Sequence, residues 1–143
     1  MFNAFFSSGK STDVLLLDTH VWLWLAMDSK QLSRSALAAI RRVTESGGIS
    51  VASISSWELA SQFDQGRIRA PSTIESSVRA TVDSASGVVH EISTEIAALA
   101  TAFPRGFSAD PPDRPFAATA RSLGLPLVTR DQWMLETSLL KTI

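Results

Sequence analysis

The sequence predicts an α/β domain in which a parallel β-sheet is covered by helices on both faces. Short, largely apolar segments such as residues 14–17 (VLLL) and 49–52 (ISVA) are typical of strands buried on both faces of a parallel sheet. Segments with helical spacing alternate with these strands along the chain, which is the order found in parallel α/β folds. The length of 143 residues and the hydrophobic content of 45% fit one globular domain.

Each predicted strand is a short apolar run bounded by turn-forming or capping residues. The first two runs, followed by a weaker third, precede a longer fourth run that ends at a threonine. A last run near the carboxyl end of the chain completes the set. The predicted strands are residues 14–17, 49–52, 88–90, 125–129 and 139–143.

The predicted helices begin at residues that favour helix N-termini, and several end at glycine. Asp18 or Thr19 caps the first helix, Pro71 stands in the first turn of the fourth, and Gly124 follows the sixth. The predicted helices are residues 20–26, 33–45 (ended by Gly47-Gly48), 55–65 (ended by Gly66), 71–84, 93–102, 116–123 and 130–137.

Composition narrows the classes of function. Cysteine is absent, which excludes disulfides, thiolate metal sites and cysteine nucleophiles, and which suits a cytoplasmic protein. The formal net charge of −1 argues against extensive nonspecific binding of nucleic acid. No segment approaches the roughly 20 apolar residues of a membrane span. Residues 1–12 are predicted to be a loosely ordered extension of a single domain that covers residues 13–143.

Acidic residues lie at the junctions where predicted strands end and helices begin. Asp18 and Asp131 follow the first and fourth strands, Glu58 follows the second, and Asp113 opens the helix after the loop at 103–112. In an open parallel sheet, ligands bind beyond the carboxyl ends of the strands, so these four residues are expected to meet. Each could instead serve local structure, because aspartate is a favoured N-cap and Glu58 is three residues after Ser55, the spacing of a capping box.

Taken together, the four acids favour a metal site over capping. Serine, threonine and asparagine cap about as well as aspartate, so capping alone does not explain an acid at every position. Carboxylates about 5 Å apart repel each other by about 3 kcal/mol per pair at an effective dielectric near 20. A bound cation would offset this repulsion, and oxygen-only ligands select Mg²⁺ or Mn²⁺.

Five segments of the chain, in this order, resemble PIN-domain ribonucleases and, within them, the VapC-type toxins of toxin–antitoxin pairs. The motifs LLLDTHVWLW and DPPDRPFAATA together make the resemblance specific, and it extends from Val14 over nearly all of the remaining chain. The segments are residues 15–24 (LLLDTHVWLW), 49–60 (ISVASISSWELA), 66–68 (GRI), 110–120 (DPPDRPFAATA) and 123–131 (LGLPLVTRD).

The resemblance implies a three-layer α/β/α domain with a five-stranded parallel sheet. It also implies a Mg²⁺- or Mn²⁺-dependent endoribonuclease that forms a homodimer and is inhibited by a cognate VapB-type antitoxin. The family's acids fall on Asp18, Glu58, Asp113 and Asp131 of this sequence, with the first three as the expected metal ligands. The resemblance further makes Asp110 a secondary candidate beside the site, and Thr129 a candidate for a hydroxyl contact near the metal.

The sequence departs from the family pattern in the segment around Asp113. Pro115 stands where an aliphatic residue is usual, and it is expected to delay the helix start and rotate Asp113. Ser108-Ala109 occupies positions where members of the family that it resembles often carry a basic residue before the DP motif. Arg114 has two interpretations, since its guanidinium suits either a phosphate or a local ion pair with Asp110.

Other features are consistent with less specific interpretations. Arg67 and Arg69 are expected in a solvated turn. The aromatic residues Trp22, Trp24, Trp57 and Phe63 are expected mainly in the core, with a share available for a dimer face or an antitoxin groove.

Four other classes of function compete with the ribonuclease. A haloacid-dehalogenase-like phosphatase would carry an acid where His20 stands, and the segment 106–110 (GFSAD) lacks the final glycine of a serine-hydrolase motif. A noncatalytic protein-interaction module whose acids cap helices remains open, as does a nuclease directed at DNA.

Overall fold

Four parallel strands form a single sheet at the centre of the fold. The computed structural model describes residues 14–46, 48–85, 87–108 and 110–143. The strands are β1 (Leu15–Leu17), β2 (Ile49–Ala52), β3 (Val88–His90) and β4 (Leu127–Val128), and their order in the sheet is β3-β2-β1-β4. Leu15 of β1 pairs with Ile49 on one side, and Leu16 pairs with Leu127 on the other.

The predicted fifth strand is wrong in the described part of the chain, where the sheet has four strands. The segment near Thr142 makes one isolated parallel bridge to Leu127, with Leu127 N–H donating to Lys141 and Ile143 N–H donating to Leu127. Successive strand residues direct their main-chain groups to opposite sides. Leu127 is therefore the one β4 residue that faces this segment, since Val128 O accepts from Asp18 of the neighbouring strand end.

Seven α-helices flank the sheet in the described residues, and their caps follow the predicted residue types at several ends. Ser33 accepts a hydrogen bond from Ala36 N, Ser93 accepts one from Ile96 N, and Gly124 closes its helix with a left-handed φ of 63°. The helices are α1 (Thr19–Met27), α2 (Arg34–Thr44), α3 (Ser53–Asp64), α4 (Ile74–Ala85), α5 (Thr94–Ala102), α6 (Asp113–Leu123) and α7 (Gln132–Glu136).

The expected delay of α6 at Pro115 is wrong. The helix begins at Asp113, and Pro115 is its third residue. Proline is tolerated in a first turn because the N–H that it lacks would have no intrahelical partner there. Arg114 accordingly keeps helical conformation before the proline, and Asp113 occupies the first position of the helix.

Both faces of the sheet are buried, as the predicted layer architecture requires. Leu15 and Leu17 pack on the face covered by α1, α2 and α3, whereas Leu16 of the same strand packs with Phe116 and Ile96 on the opposite face. This alternation follows from the two-residue side-chain period of a strand. The chain therefore has the three layers that the sequence predicted.

Two predictions concern segments that lie outside the described residues, namely the loosely ordered extension at 1–12 and the position of Gly47 at the end of α2. Within the described ranges, no helix is long and apolar enough to cross a membrane.

Candidate active site

The candidate site lies beyond the carboxyl ends of β1, β2 and β4. The chain adds β2 and β3 on one side of β1 and then places β4 on the other side. The crevice between β1 and β4 is thus the topological switch point of the sheet, where open α/β folds bind their ligands. Asp18 directly follows β1, and Thr129 directly follows β4.

Asp18 is fixed at this crevice by hydrogen bonds to both of its carboxylate oxygens. Oδ1 accepts from Thr19 N at 2.7 Å, which makes Asp18 the N-cap of α1, and Oδ2 accepts from the Thr129 hydroxyl at 2.7 Å. Burial raises the pKa of Asp18, although both hydrogen bonds favour the ionised form and oppose that rise. The Asp18 side chain therefore both caps α1 and forms part of the candidate site.

Thr129 connects Asp18 to Asp131 across the crevice. Its hydroxyl donates to Asp18 and accepts from Asp131 N at 2.9 Å. Asp131 itself caps α7, since its Oδ1 accepts from Met134 N at 3.2 Å. Thr129 is thus hydrogen-bonded directly to the Asp18 carboxylate, whereas Asp131 is linked to Asp18 only through Thr129.

Glu58 reaches the site from the second turn of α3. Its Oε1 accepts from Thr19 Oγ1 at 2.9 Å, and Thr19 Oγ1 also lies 2.8 Å from Ser55 Oγ. The capping-box alternative for Glu58 is wrong, because α3 begins at Ser53 with Ala52 as its N-cap. Ser55 lies inside the helix, and its hydroxyl supports Thr19.

Sequence reasoning missed Thr19 and Ser55 as supports of the site. Both are polar residues with almost no solvent exposure. A buried hydroxyl is stable only when it is hydrogen-bonded, and here the two hydroxyls pair with each other while that of Thr19 also donates to Glu58. The available signal was the position of Thr19 directly after Asp18 in the DTH motif.

Burial and the charges of neighbouring carboxylates raise the pKa values of Glu58 and Asp113. Burial, followed by the charges of Asp18, Asp113 and Asp110, raises the pKa of Glu58 to about 7, against the lowering effect of the Thr19 hydrogen bond. Burial also raises the pKa of Asp113 to about 6, with further contributions from Asp131, Asp110 and Asp18. The five carboxylates therefore form one electrostatic cluster, which includes the secondary candidate Asp110.

Ser108 is a third support that the sequence did not reveal. Its hydroxyl donates a short hydrogen bond to Asp113 Oδ2 and accepts from Asp110 N at 3.1 Å. The hydrogen bond to Asp113 favours the ionised carboxylate and opposes the effect of burial on its pKa. Ser108 therefore holds the Asp113 carboxylate in position.

The structure shows the Arg114 guanidinium bonded to main-chain carbonyls and not paired with Asp110. Its guanidinium donates to the main-chain carbonyls of Phe103 at 3.0 Å and Pro104 at 2.8 Å, with longer contacts to Ala100 and Arg105. These carbonyls lie at the end of α5 and in the loop after it. Arg114 thus connects the first turn of α6 to that loop.

The donor set of the cluster fits a hard divalent cation in its chemistry. It consists of carboxylates and hydroxyls, which are the oxygen ligands that Mg²⁺ and Mn²⁺ prefer. Within the described ranges, however, no three acidic or histidine side chains are arranged to hold an ion directly. Mg²⁺ usually keeps several waters in protein sites, so ligation through water is compatible with this spacing.

A family model for the PIN domain matches residues 15–138. The chain belongs to the PIN domain family. It is also 36% identical to "Ribonuclease VapC22" of Mycobacterium tuberculosis (strain ATCC 25618 / H37Rv) over 118 residues, which cover 82% of this chain and 87% of the relative. The family assignment made from the sequence is confirmed.

Solved structures of low sequence identity share the fold. The complex VapBC2 from Rickettsia felis, bound to a DNA fragment from its promoter, matches with a TM-score of 0.65 at 14% identity, covering 91% of this chain and 97% of the other. DNA-bound VapBC from Salmonella typhimurium matches with a TM-score of 0.66 at 17% identity, covering 91% and 96%. VapBC-5 from Mycobacterium tuberculosis matches with a TM-score of 0.56 at 19% identity, covering 92% and 98%.

Proposed function

We propose that this chain is a Mg²⁺- or Mn²⁺-dependent endoribonuclease and the toxin of a toxin–antitoxin pair. The observation that carries the proposal is the cluster of Asp18, Glu58 and Asp113 at the switch point of the sheet, where burial, together with the charges of neighbouring carboxylates, raises all three pKa values. Such perturbed acids in a cleft are typical of functional sites. The relative named as a ribonuclease supports RNA as the substrate.

Asp18, Glu58 and Asp113 would hold the cation, partly through water, and Asp131 would act from one step further out. A bound divalent cation supplies a water of lowered pKa and offsets negative charge on the scissile phosphate. The Thr19 and Thr129 hydroxyls keep Asp18 and Glu58 oriented toward the crevice. Glu58, with a pKa raised to about 7, can bind or release a proton near neutral pH as the cation leaves or enters.

The partner we propose is a VapB-type antitoxin, because the solved complexes with this fold are toxin–antitoxin assemblies. A homodimer of the toxin, acting in the cytoplasm, completes the proposal. Co-expression with the product of an adjacent antitoxin gene should yield a stable complex in which RNA cleavage is suppressed.

The test of the activity uses single-stranded RNA and the purified chain with Mn²⁺. Cleavage should be lost on addition of EDTA and should fall by at least about 100-fold in Asp18→Asn, since metal-assisted hydrolysis depends on the ligand set. Asp83→Asn, an exposed acid on α4, is the matched control and should retain wild-type activity. Full activity of Asp18→Asn would refute the assignment, and cleavage of the matching DNA strand alone would redirect it to a DNA nuclease.

A further inference from the structure

A groove of about 530 Å³ opens directly beside the acid cluster. Glu58 and Asp110 line it together with residues that the proposed chemistry does not use. The groove lies between α3 and the loop that precedes α6, because Trp57 and Gln62 line it from the helix and Pro111 from the loop. Its volume falls within the range of sites that bind small ligands or single residues of a polymer.

Trp57 gives the groove an exposed aromatic surface next to Glu58. Its side chain is 60% exposed, whereas Trp22 of α1 is fully buried in the core. The expectation that the tryptophans serve mainly the core therefore does not hold for Trp57. A large aromatic ring exposed at the edge of a polar cleft is a common feature of ligand-binding surfaces.

Polar groups without partners line the same groove. No hydrogen bond or ion pair involves the side chains of Gln62 and Arg67 within the described part of the chain. Arg67 is nevertheless held in place through its main chain, because its N–H donates to Gln62 O at 3.0 Å in the turn after α3. Gly66 makes this turn possible with a φ of 69°.

We propose that this groove binds one nucleotide of single-stranded RNA next to the acid cluster, with its base stacked on Trp57 and a phosphate on Arg67. The proposal rests on the proposed function. Single-stranded RNA is recognised by aromatic stacking and by hydrogen bonds to base edges, which Trp57 and Gln62 supply. Guanidinium suits phosphate, and Pro111 offers a second apolar surface at the other side of the groove.

The stacking contact is tested by equilibrium binding of a fluorescein-labelled single-stranded RNA decamer of mixed sequence. All binding measurements use the Asp18→Asn background in EDTA, so that the RNA is not cleaved during the measurement. Trp57→Ala should raise the Kd by roughly 5- to 150-fold, as base–aromatic stacking energies predict, and Trp57→Phe should raise the Kd by a smaller factor. Trp133→Ala is the matched control, because Trp133 is 52% exposed but does not line the groove.

The phosphate contact is tested by the salt dependence of the same binding reaction. Arg67→Gln should weaken binding and reduce the slope of log K against log salt concentration by about 0.7, the value for one phosphate on a single strand. Arg69→Gln is the matched control, because Arg69 is also exposed and lies two residues away but outside the groove.

An unchanged decamer Kd in folded Trp57→Ala would overturn the proposal. So would a loss confined to antitoxin binding, since that would assign the groove to a protein partner. The outcome for the proposed function is separate. If the wild-type chain cleaves no RNA with Mn²⁺ while Trp57→Ala still weakens decamer binding, the groove stands as an RNA site and the nuclease assignment fails.

Discussion

The carboxyl group of Glu58 is half-buried in a cluster of other acids, and this position sets its effect on stability. Its pKa is raised from 4.5 to about 7, so the folded state holds a proton that the unfolded chain releases more readily. Because the pKa of Glu58 is raised in the folded state, the contribution of this residue to stability is greatest below pH 4.5 and declines as the pH rises toward 7. Without a cation, ionisation of Glu58 at neutral pH therefore opposes folding.

We predict that Glu58→Gln stabilises the metal-free protein at pH 8 by about 1–2 kcal/mol, a value reduced from the full pKa shift to allow for solvent screening. The gain should vanish near pH 4, where the wild-type carboxyl is already protonated in the folded state. Urea unfolding in EDTA at the two pH values measures the effect. Glu91→Gln, an exposed site after β3, is the control, and identical pH profiles for Glu58→Gln and wild type would contradict the prediction.

At the scale of elements, α6 and α5 are held together by more than their apolar contacts. Arg114 in the first turn of α6 donates to carbonyls at the end of α5 and in the following loop. These carbonyls have no helical partner, because they lie at or beyond the last turn of the helix. The same loop continues to Ser108, which positions Asp113. The contact therefore supports the site indirectly.

We predict that Arg114→Met lowers the free energy of unfolding by about 1–2 kcal/mol, since it removes charge-assisted hydrogen bonds to main-chain carbonyls. The affinity for RNA should change little. Urea unfolding and decamer binding measure the two effects, and Arg121→Met at the exposed end of the same helix is the control. Unchanged stability with weakened RNA binding would instead place the guanidinium on a phosphate.

At the scale of the whole molecule, a divalent cation bound to the acid cluster, as proposed above, would stabilise the folded protein. A ligand that binds only the folded state at 100 times its Kd adds about 2.7 kcal/mol. We predict that Mn²⁺ raises the melting temperature, more at pH 7.5 than at pH 5, because protons compete with the cation for Glu58 and Asp113.

Thermal unfolding with Mn²⁺ and with EDTA tests this dependence. Asp18→Asn should lose most of the Mn²⁺ effect, and Asp83→Asn should keep it. An equal rise in melting temperature for wild type and Asp18→Asn would place the cation outside the cluster.

Local sequence determined most of the elements and the membership of the acid cluster. Apolar runs locate the four strands, and capping residues such as Asp18 and Ser93 locate helix starts, because these signals act between residues close in the chain. The predicted bounds of β4 and the predicted start of α6 were less accurate. Pro115 illustrates why, since its effect depends on which turn of the helix it occupies.

Tertiary structure alone decided which side chains support the acids and which surfaces remain exposed. The contacts from Thr129 to Asp18 and from Thr19 to Glu58 span 111 and 39 positions, and no local pattern encodes such pairings. Packing likewise buried Trp22 and left Trp57 at the groove, although both are tryptophans on predicted helices. The sequence by itself determined that acids stand at the ends of strands. The order of the strands, with β1 between β2 and β4, decided that they meet, because parallel strands bring their carboxyl ends to one edge of the sheet.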